Sequence, residues 1–391
     1  MVTGTGWRVE VRDSALAVIG VCDVYTSMKL TLRHRKAGAW SLDLPASHPQ
    51  ASLFAEGGGI IVWAPWSDSE PLMSGKITVL SPVTTTRGAP AMLTVTGVDD
   101  LGLLADRLVL PDPSSAMDDQ DAEAYFTVTG KAEAVIRTVV EKNAGTEALI
   151  DRRMCDGDPN GVLATPASMV GTTLTLNSRF GNLLSVIDEV GLRDNLGVRL
   201  VQPAGVAALH LSVYLPADVS DQVRLSQYAG TLTSATAVYG APAATNVLVA
   251  GGGEGVDRLF VERSVALTAW SRRIEVFRDA RDTIDVGELE ERGDETLLQA
   301  AGSAAVSLVP VDTPNQRFGY DYGLGDTITV EVGDLSYTDT VTAVEIVLEA
   351  ETGAVVTPSV GDVDESNLAT PAIYQRVREL MRRLDALERR Q

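Results

Sequence analysis

Apolar and polar residues alternate with a period of two in several short stretches of the first hundred residues. Met28, Leu30 and Leu32 alternate with Lys29, Thr31 and Arg33. Ile77 and Val79 follow the same rule, as do Leu93 and Val95 between Met92, Thr94 and Thr96. That period sends one set of side chains into a core and the other into water, so these stretches predict strands. Turn clusters lie between them, such as Glu56-Gly57-Gly58-Gly59 and Thr86-Arg87-Gly88-Ala89-Pro90. Glycine there supplies positive φ and proline presets a bend. Short strands at this spacing suggest a small antiparallel barrel or sandwich, ending near Asp99-Asp100. Those two aspartates are candidate caps for a short helix through Leu101, Leu104 and Arg107.

The pattern then changes. Residues 111–120 are rich in Pro, Asp and Ser and read as an exposed linker. Ala132, Val135, Ile136, Val139 and Val140 recur at helical spacing, with Asn143 and Gly145 marking the end. A second helix runs through Leu183, Leu184, Ile187 and Val190 to Gly191. Val198 and Leu200, then Ala207, Leu209, Leu211, Val213 and Leu215, alternate as a hairpin would. From about Val223 the chain reads as strands again, with Gly251-Gly252-Gly253 as a turn. A helix is expected over about 285–307, with Asp294 capping Leu297, Leu298, Ala301, Ala304 and Ala305. Ile328, Val330 and Val332, then Val344, Ile346 and Leu348, alternate after it. The fold class read from this is mainly β with an α+β insert. Its divisions fall at 1–111, 112–222, 223–365 and 366–391.

The last division has a different period. Thr370-Pro371 is a helix start, and Ile373, Val377, Leu380, Leu384 and Leu387 recur at spacings of 4 and 3, an a/d seam. These five are the candidate oligomerisation residues. A lone helix of ~20 residues with so narrow a stripe is marginal in water, which favours self-association. An amphipathic helix folded back on its own domain is the alternative. The other positions carry six arginines against three acids, so the segment is basic while the remainder is acidic.

Charge and composition narrow the field. The net charge of −21 disfavours an extended nucleic-acid-binding face or an anionic membrane surface as partner. No apolar run approaches the 18 residues of a transmembrane helix, and Met1 to Trp7 lack the basic start and apolar core of a signal peptide. Two cysteines, Cys22 and Cys155, make no disulfide framework, and three histidines leave little for imidazole chemistry. The few lysines end at Lys142; the other basic residues are scattered arginines.

Each candidate for chemistry is incomplete. Asp156, Asp158 and Asn160, with Gly161 next, match the first half of a calcium loop, but Ala164 and Ala167 occupy its ninth and twelfth positions. Asp-Gly and Asn-Gly pairs also make ordinary turns. Gly251 to Gly255 follows an apolar strand but contains Glu254 and lacks the Lys-Ser/Thr of a phosphate loop, so a hairpin is the better reading. Asp118, Asp119, Asp121 and Glu123 read as a solvated acidic run, and His210 as a residue on the polar face of its strand. No Ser sits in a Gly-x-Ser-x-Gly elbow. No catalytic, cofactor-binding or firm metal set is expected.

Several stretches resemble the ReqiPepy-type family of siphophage tail proteins from phages of actinobacteria. They are Trp40-Ser41-Leu42-Asp43-Leu44-Pro45, Gly58-Gly59-Ile60-Ile61-Val62, Val98-Asp99-Asp100, and Ser178 to Leu184. Ala244 to Gly255 with Arg258, then Arg273 to Asp282, and Phe318 to Asp326 follow in the second half. The resemblance covers about residues 7 to 360 and implies a structural role without enzymatic activity or cofactor. It implies two β-barrel hub-type domains around the mixed domain, and three copies closing a baseplate-hub ring at the tail tip. The ring would surround the DNA exit channel, with a distal tail ring above and further tip or fibre proteins below. The heptads, outside the resemblance, would then be a three-stranded coiled-coil fastener. The expected location is the virion after assembly in the host cytoplasm, with no membrane partner. An acidic channel wall would let phage DNA slide without sticking; plain solubility explains the same charge. A receptor-binding adhesin and a cell-envelope glycan depolymerase are the alternatives. The former would need an exposed aromatic groove, the latter paired carboxylates in one.

Overall fold

The computed structural model describes residues 6–67, 70–83, 91–154, 162–164, 169–239, 242–265, 271–300, 304–310, 316–332, 335–349 and 353–361. They form two units. The first runs to Ser234 and resumes over Leu308–Val360; the second is Ala235–Ser307.

The first region of unit 1 is an antiparallel sheet of seven strands, β1 (Arg8–Arg12), β2 (Val18–Cys22), β3 (Ser27–Arg33), β4 (Ala39–Pro45), β5 (Gly59–Trp63), β6 (Met73–Val83) and β7 (Met92–Asp99). Register pairs Leu30 with Trp40 and Leu42 with Val95, so the alternating apolar residues stack on one buried face. The expected alternation fails in β6. A bulge between Ile77 and Val79 shifts the phase, and Val79 is exposed. A 3-10 helix, Asp100–Asp106, follows with Asp99 as its cap. Asp100 instead turns into the core.

The insert begins with β8 (Phe126–Lys131) and α1 (Ala132–Ala144), then β9 (Val162–Ala164), β10 (Thr173–Ser178), α2 (Leu183–Arg193), β11 (Gly197–Val201) and β12 (Leu209–Tyr214). The expected apolar stripe of α1 is buried along its length. Helix α2 passes Gly191, where it was expected to close, and ends at Asp194 before Asn195 at φ +51°. The hairpin is as expected, with Val198 opposite Val213 and Leu200 opposite Leu211. The segment 111–120 is largely exposed but pinned, because Gln120 and Asp112 hydrogen-bond reciprocally and Ser114 and Ser115 donate to Asp112. One core joins the insert to the first region: Leu16, Leu101 and Leu104 pack with Val135, Ile136, Leu183, Ile187 and Leu211.

After β13 (Arg224–Ser226), β14 (Leu232–Tyr239) carries the chain out of unit 1. Unit 2 holds β15 (Asn246–Ala250), β16 (Phe260–Ser264) and β17 (Glu275–Asp279) in the order β16-β15-β17, and α3 (Val286–Gln299). Its core is Val247, Val249, Ala280, Leu289 and Leu297. The Gly251–Gly253 turn closes the β15–β16 hairpin. Asp285, not Asp294, caps α3, its Oδ1 accepting from Glu288 N at 3.0 Å. Asp294 lies mid-helix and pairs with Arg263 at 2.7 Å. The helix stops short of Ala304 and Ala305, which begin strand β18 (Ala304–Pro310).

Back in unit 1, β19 (Thr327–Val332), β20 (Leu335–Glu349) and β21 (Gly353–Gly361) complete the chain's described part. β20 lies antiparallel to β3, with Ile346 opposite Leu30 and Val344 opposite Leu32. The first and last strand regions therefore share one open sheet, in the order β14-β18-β21-β20-β3-β4-β7-β6-β5-β1-β2 with β13 and β19 alongside. No closed barrel is found among the described residues. The calcium candidates Asp156, Asp158 and Asn160 and the seam Ile373, Val377, Leu380, Leu384 and Leu387 lie outside the described residues.

Candidate functional site: an aromatic cavity over a locked junction

Three segments far apart in sequence meet in unit 1. Beneath the meeting point lies a buried polar network. Arg12 reaches from β1 and donates to Asp100 Oδ1 at 2.5 Å and to Gln202 Oε1 at 2.9 Å. Ser74 Oγ donates to the other Asp100 oxygen and accepts from Gln202 N at 2.8 Å. Gln202 Nε2 donates to the carbonyls of Leu16 and Val206. Arg12 and Asp100 are 1% and 0% exposed, so this charge pair lies out of bulk solvent and depends on its protein hydrogen-bond partners.

A second polar cluster ties β3 to the insert and the returning chain. His34 is buried, its Nδ1 3.2 Å from Tyr214 Oη and its Nε2 3.1 Å from Asn195 Oδ1. Burial, with the adjacent Arg35 cation, lowers the His34 pKa to about 4. Arg35 in turn bonds Asn195 and Asp188 on the insert. Gly325, at φ +90°, packs on the His34 ring, where a Cβ would come within 2.6 Å. Only glycine fits both the conformation and the space.

Above these clusters is a cavity of about 580 Å³ lined in part by Trp66, Glu70, Asp99, Tyr214, Phe318 and Asp326. Its rim is aromatic. Trp66 meets Trp7, Phe318 and Tyr320 edge to face at 5.3, 6.0 and 5.7 Å, and Phe318 meets Tyr322 at 5.7 Å. Arg317 lies 4.4 Å over the Tyr320 ring. Gly319, at φ +82°, lets the 318–322 turn press on the Trp66 indole. Most charged groups of the wall are already engaged. Arg199 donates to the carbonyls of Pro71 and Leu72 and lies 3.8 Å from Glu70. Asp326 accepts from Ala217 N and Gly323 N, closing two loops. Asp99 accepts from Gly38 N and Gly102 N; desolvation, reinforced by Asp100, nevertheless raises its pKa to about 7. Such a wall suits a neutral, hydroxyl-rich ligand better than a charged one.

The rim was not anticipated as a cluster. The tryptophans are scattered singly in sequence, and only tertiary packing brings Trp7 beside Trp66. Phe318 to Asp326 entered through the family resemblance alone. Asp118, Asp119, Asp121 and Glu123 are exposed, His210 is half-buried, and Cys22 is a buried free thiol whose pKa burial raises. Among the described residues, no three His, Cys, Asp or Glu side chains converge as metal ligands would.

Solved structures with a similar fold include three described as tail proteins. One from Neisseria meningitidis aligns at a TM-score of 0.56 and 11% identity, covering 91% of this chain and 97% of that one. The 43 kDa tail protein of a Shewanella oneidensis prophage aligns at 0.55 and 10%, covering 90% and 98%. Prophage tail protein gp18 of Listeria monocytogenes aligns at 0.53 and 11%, covering 95% and 99%. No curated protein matches the sequence. The model for the family described as Siphovirus ReqiPepy6 Gp37-like protein matches residues 8–362, and the chain belongs to that family of siphophage tail proteins.

Proposed function

We propose that this tail protein is a hub of the siphophage tail tip, three copies of which close a ring around the DNA exit channel. The observation that carries the reading is the family match over 8–362, together with a fold shared along nearly the full length of three tail proteins. In this reading the strand-rich regions of unit 1 take the place of hub-type barrels, and the Ile373–Leu387 seam fastens three chains. A distal tail ring sits above and tip or fibre proteins below. The protein acts by shape and turns over no substrate. Its acidity keeps DNA from adhering to the wall. Assembly takes place in the host cytoplasm and the product resides in the virion.

Mass in solution tests the reading. The full chain is expected at three times its 41.5 kDa, and a chain lacking residues 370–391 at a lower mass. A monomer at every concentration would end the hub proposal.

A second reading, a receptor-binding adhesin, is favoured by the aromatic rim at Trp66, Phe318 and Tyr320. Aromatic faces beside engaged polar groups suit sugar rings. Binding of host-envelope polysaccharide to the isolated protein, lost in Trp66→Ala, is the result expected if that role is real.

A further inference from the structure

Among the described residues, unit 2 carries an exposed sheet face with the make-up of an interface. Alternation along β15, β16 and β17 sends Val247, Val249, Val261 and Val276 toward the core shared with α3. The opposite set includes Leu248, Phe260 and Phe277, exposed at 42, 51 and 53%. Register places Leu248 level with Phe277 on one side, while Ala250, two residues on, is level with Phe260 on the other. The apolar groups thus run diagonally across all three strands. A sheet covered on one side normally turns polar residues outward on the other. Here the centre is aromatic.

Arg258 is held within this face. Its guanidinium carbon is 5.9 Å from the Phe260 ring and 5.8 Å from the Phe277 ring. Its Nε donates to Gly251 O and its Nη2 to Ala250 O, and it pairs with Asp279. Around the edge, Arg273 pairs with Glu262 at 2.8 Å and Glu275 at 2.6 Å, and Arg281 with Asp279 at 3.3 Å. The arginines 258, 273 and 281 and the carboxylates 262, 275 and 279 balance. An apolar centre with fixed arginine and aromatics inside a paired rim is the anatomy of a protein contact.

We propose that this face docks against a second copy of this chain. Charge selects the occupant. Chains of net charge −21 repel one another, and close approach is least costly through a surface that carries no net charge. A balanced patch offers nothing to DNA or to a strongly basic partner. In a closed threefold ring the contact is heterologous, this face meeting a different surface of the next copy. The proposal rests on the ring reading and names the surface through which the copies meet.

The test is sedimentation equilibrium of the full chain in four forms: wild type, F260D/F277D, F260L/F277L, and L380D/L384D in the heptads. The expected result is association at least ten-fold weaker in F260D/F277D and nearly kept in F260L/F277L. If F260D/F277D assembles as tightly as wild type, this face is not the contact, although the ring stands. If wild type is monomeric throughout, both proposals fall. If L380D/L384D alone dissociates, the seam carries the assembly and the face is overturned. Hydrogen exchange on the wild type gives a check that needs no variant. Protection of 258–264 and 275–279 should rise with protein concentration, and protection that stays flat overturns the proposal. Docking of these phenylalanines on another tail protein and not on a copy overturns it as well.

Discussion

Arg12 and Asp100 show why single residues in this protein carry unequal weight. Both charges are buried, and each oxygen of Asp100 already has a donor. Removing one partner strands the other in a medium that solvates charge poorly. Asp100→Asn is therefore expected to cost about 3–5 kcal/mol, read from urea unfolding, whereas Arg12→Met with Asp100→Leu should recover most of it. His34 and Asp99 set opposing dependences on pH. The folded His34 resists its proton down to about pH 4 while the unfolded residue accepts it near 6.5. The unfolded state thus binds more protons between these values, and stability falls as pH drops through them, by about 3 kcal/mol in all. Asp99 works the other way. Folded, it keeps its proton to about pH 7, so its contribution is lost as pH rises from about 4 to 7. His34→Gln should leave a chain whose stability declines with rising pH across that window. Asp99→Asn should leave one whose stability climbs, at some overall cost because the amide keeps only one acceptor oxygen for the two donors Gly38 N and Gly102 N. Unfolding midpoints measured at pH 4.5 and 7 separate them.

At the scale of elements, periodicity predicted α1, the β11–β12 hairpin and most of β3, β7 and β20 because each has one face in a core. It failed where neighbours reset the phase. The bulge in β6 puts Val79 outside, and Asp294 is no cap because its partner is Arg263, 31 residues away. Caps chosen by local geometry are testable locally. Asn182 caps α2 by accepting from Ser185 N, and also donates to Ala105 O at 2.6 Å. Asn182→Ala is expected to lower stability by about 1–2 kcal/mol, the upper end because the second bond goes too. The 318–322 turn makes a different demand. A Cβ on Gly319 would fall 2.3 Å from Trp66 Nε1. Gly319→Ala should push the indole off the rim, visible as a change in tryptophan fluorescence along with a lower midpoint.

Across the whole molecule, the joining of distant segments decides most. Because β20 pairs with β3 along seven residues, the first strand region is finished only by chain made more than three hundred residues later. A chain truncated before residue 335 leaves one edge of β3 open and should show rapid hydrogen exchange over 27–33, which the full chain protects. The amino-acid sequence by itself determined many of the strands and the two helices of the insert, that the protein is mainly β, and, through short motifs in order, the tail-protein family. Those are local properties, written in spacing of apolar groups and in turn chemistry. Tertiary structure alone decided that first and last strands share one sheet and that Asp100 faces Arg12. It also decided that Trp7, Trp66 and Phe318 form one rim, and that Leu248, Phe260 and Phe277 share an exposed face. Each of those depends on register and packing between residues tens to hundreds of positions apart, where many pairings satisfy the same alternation and only the complete set of contacts selects one.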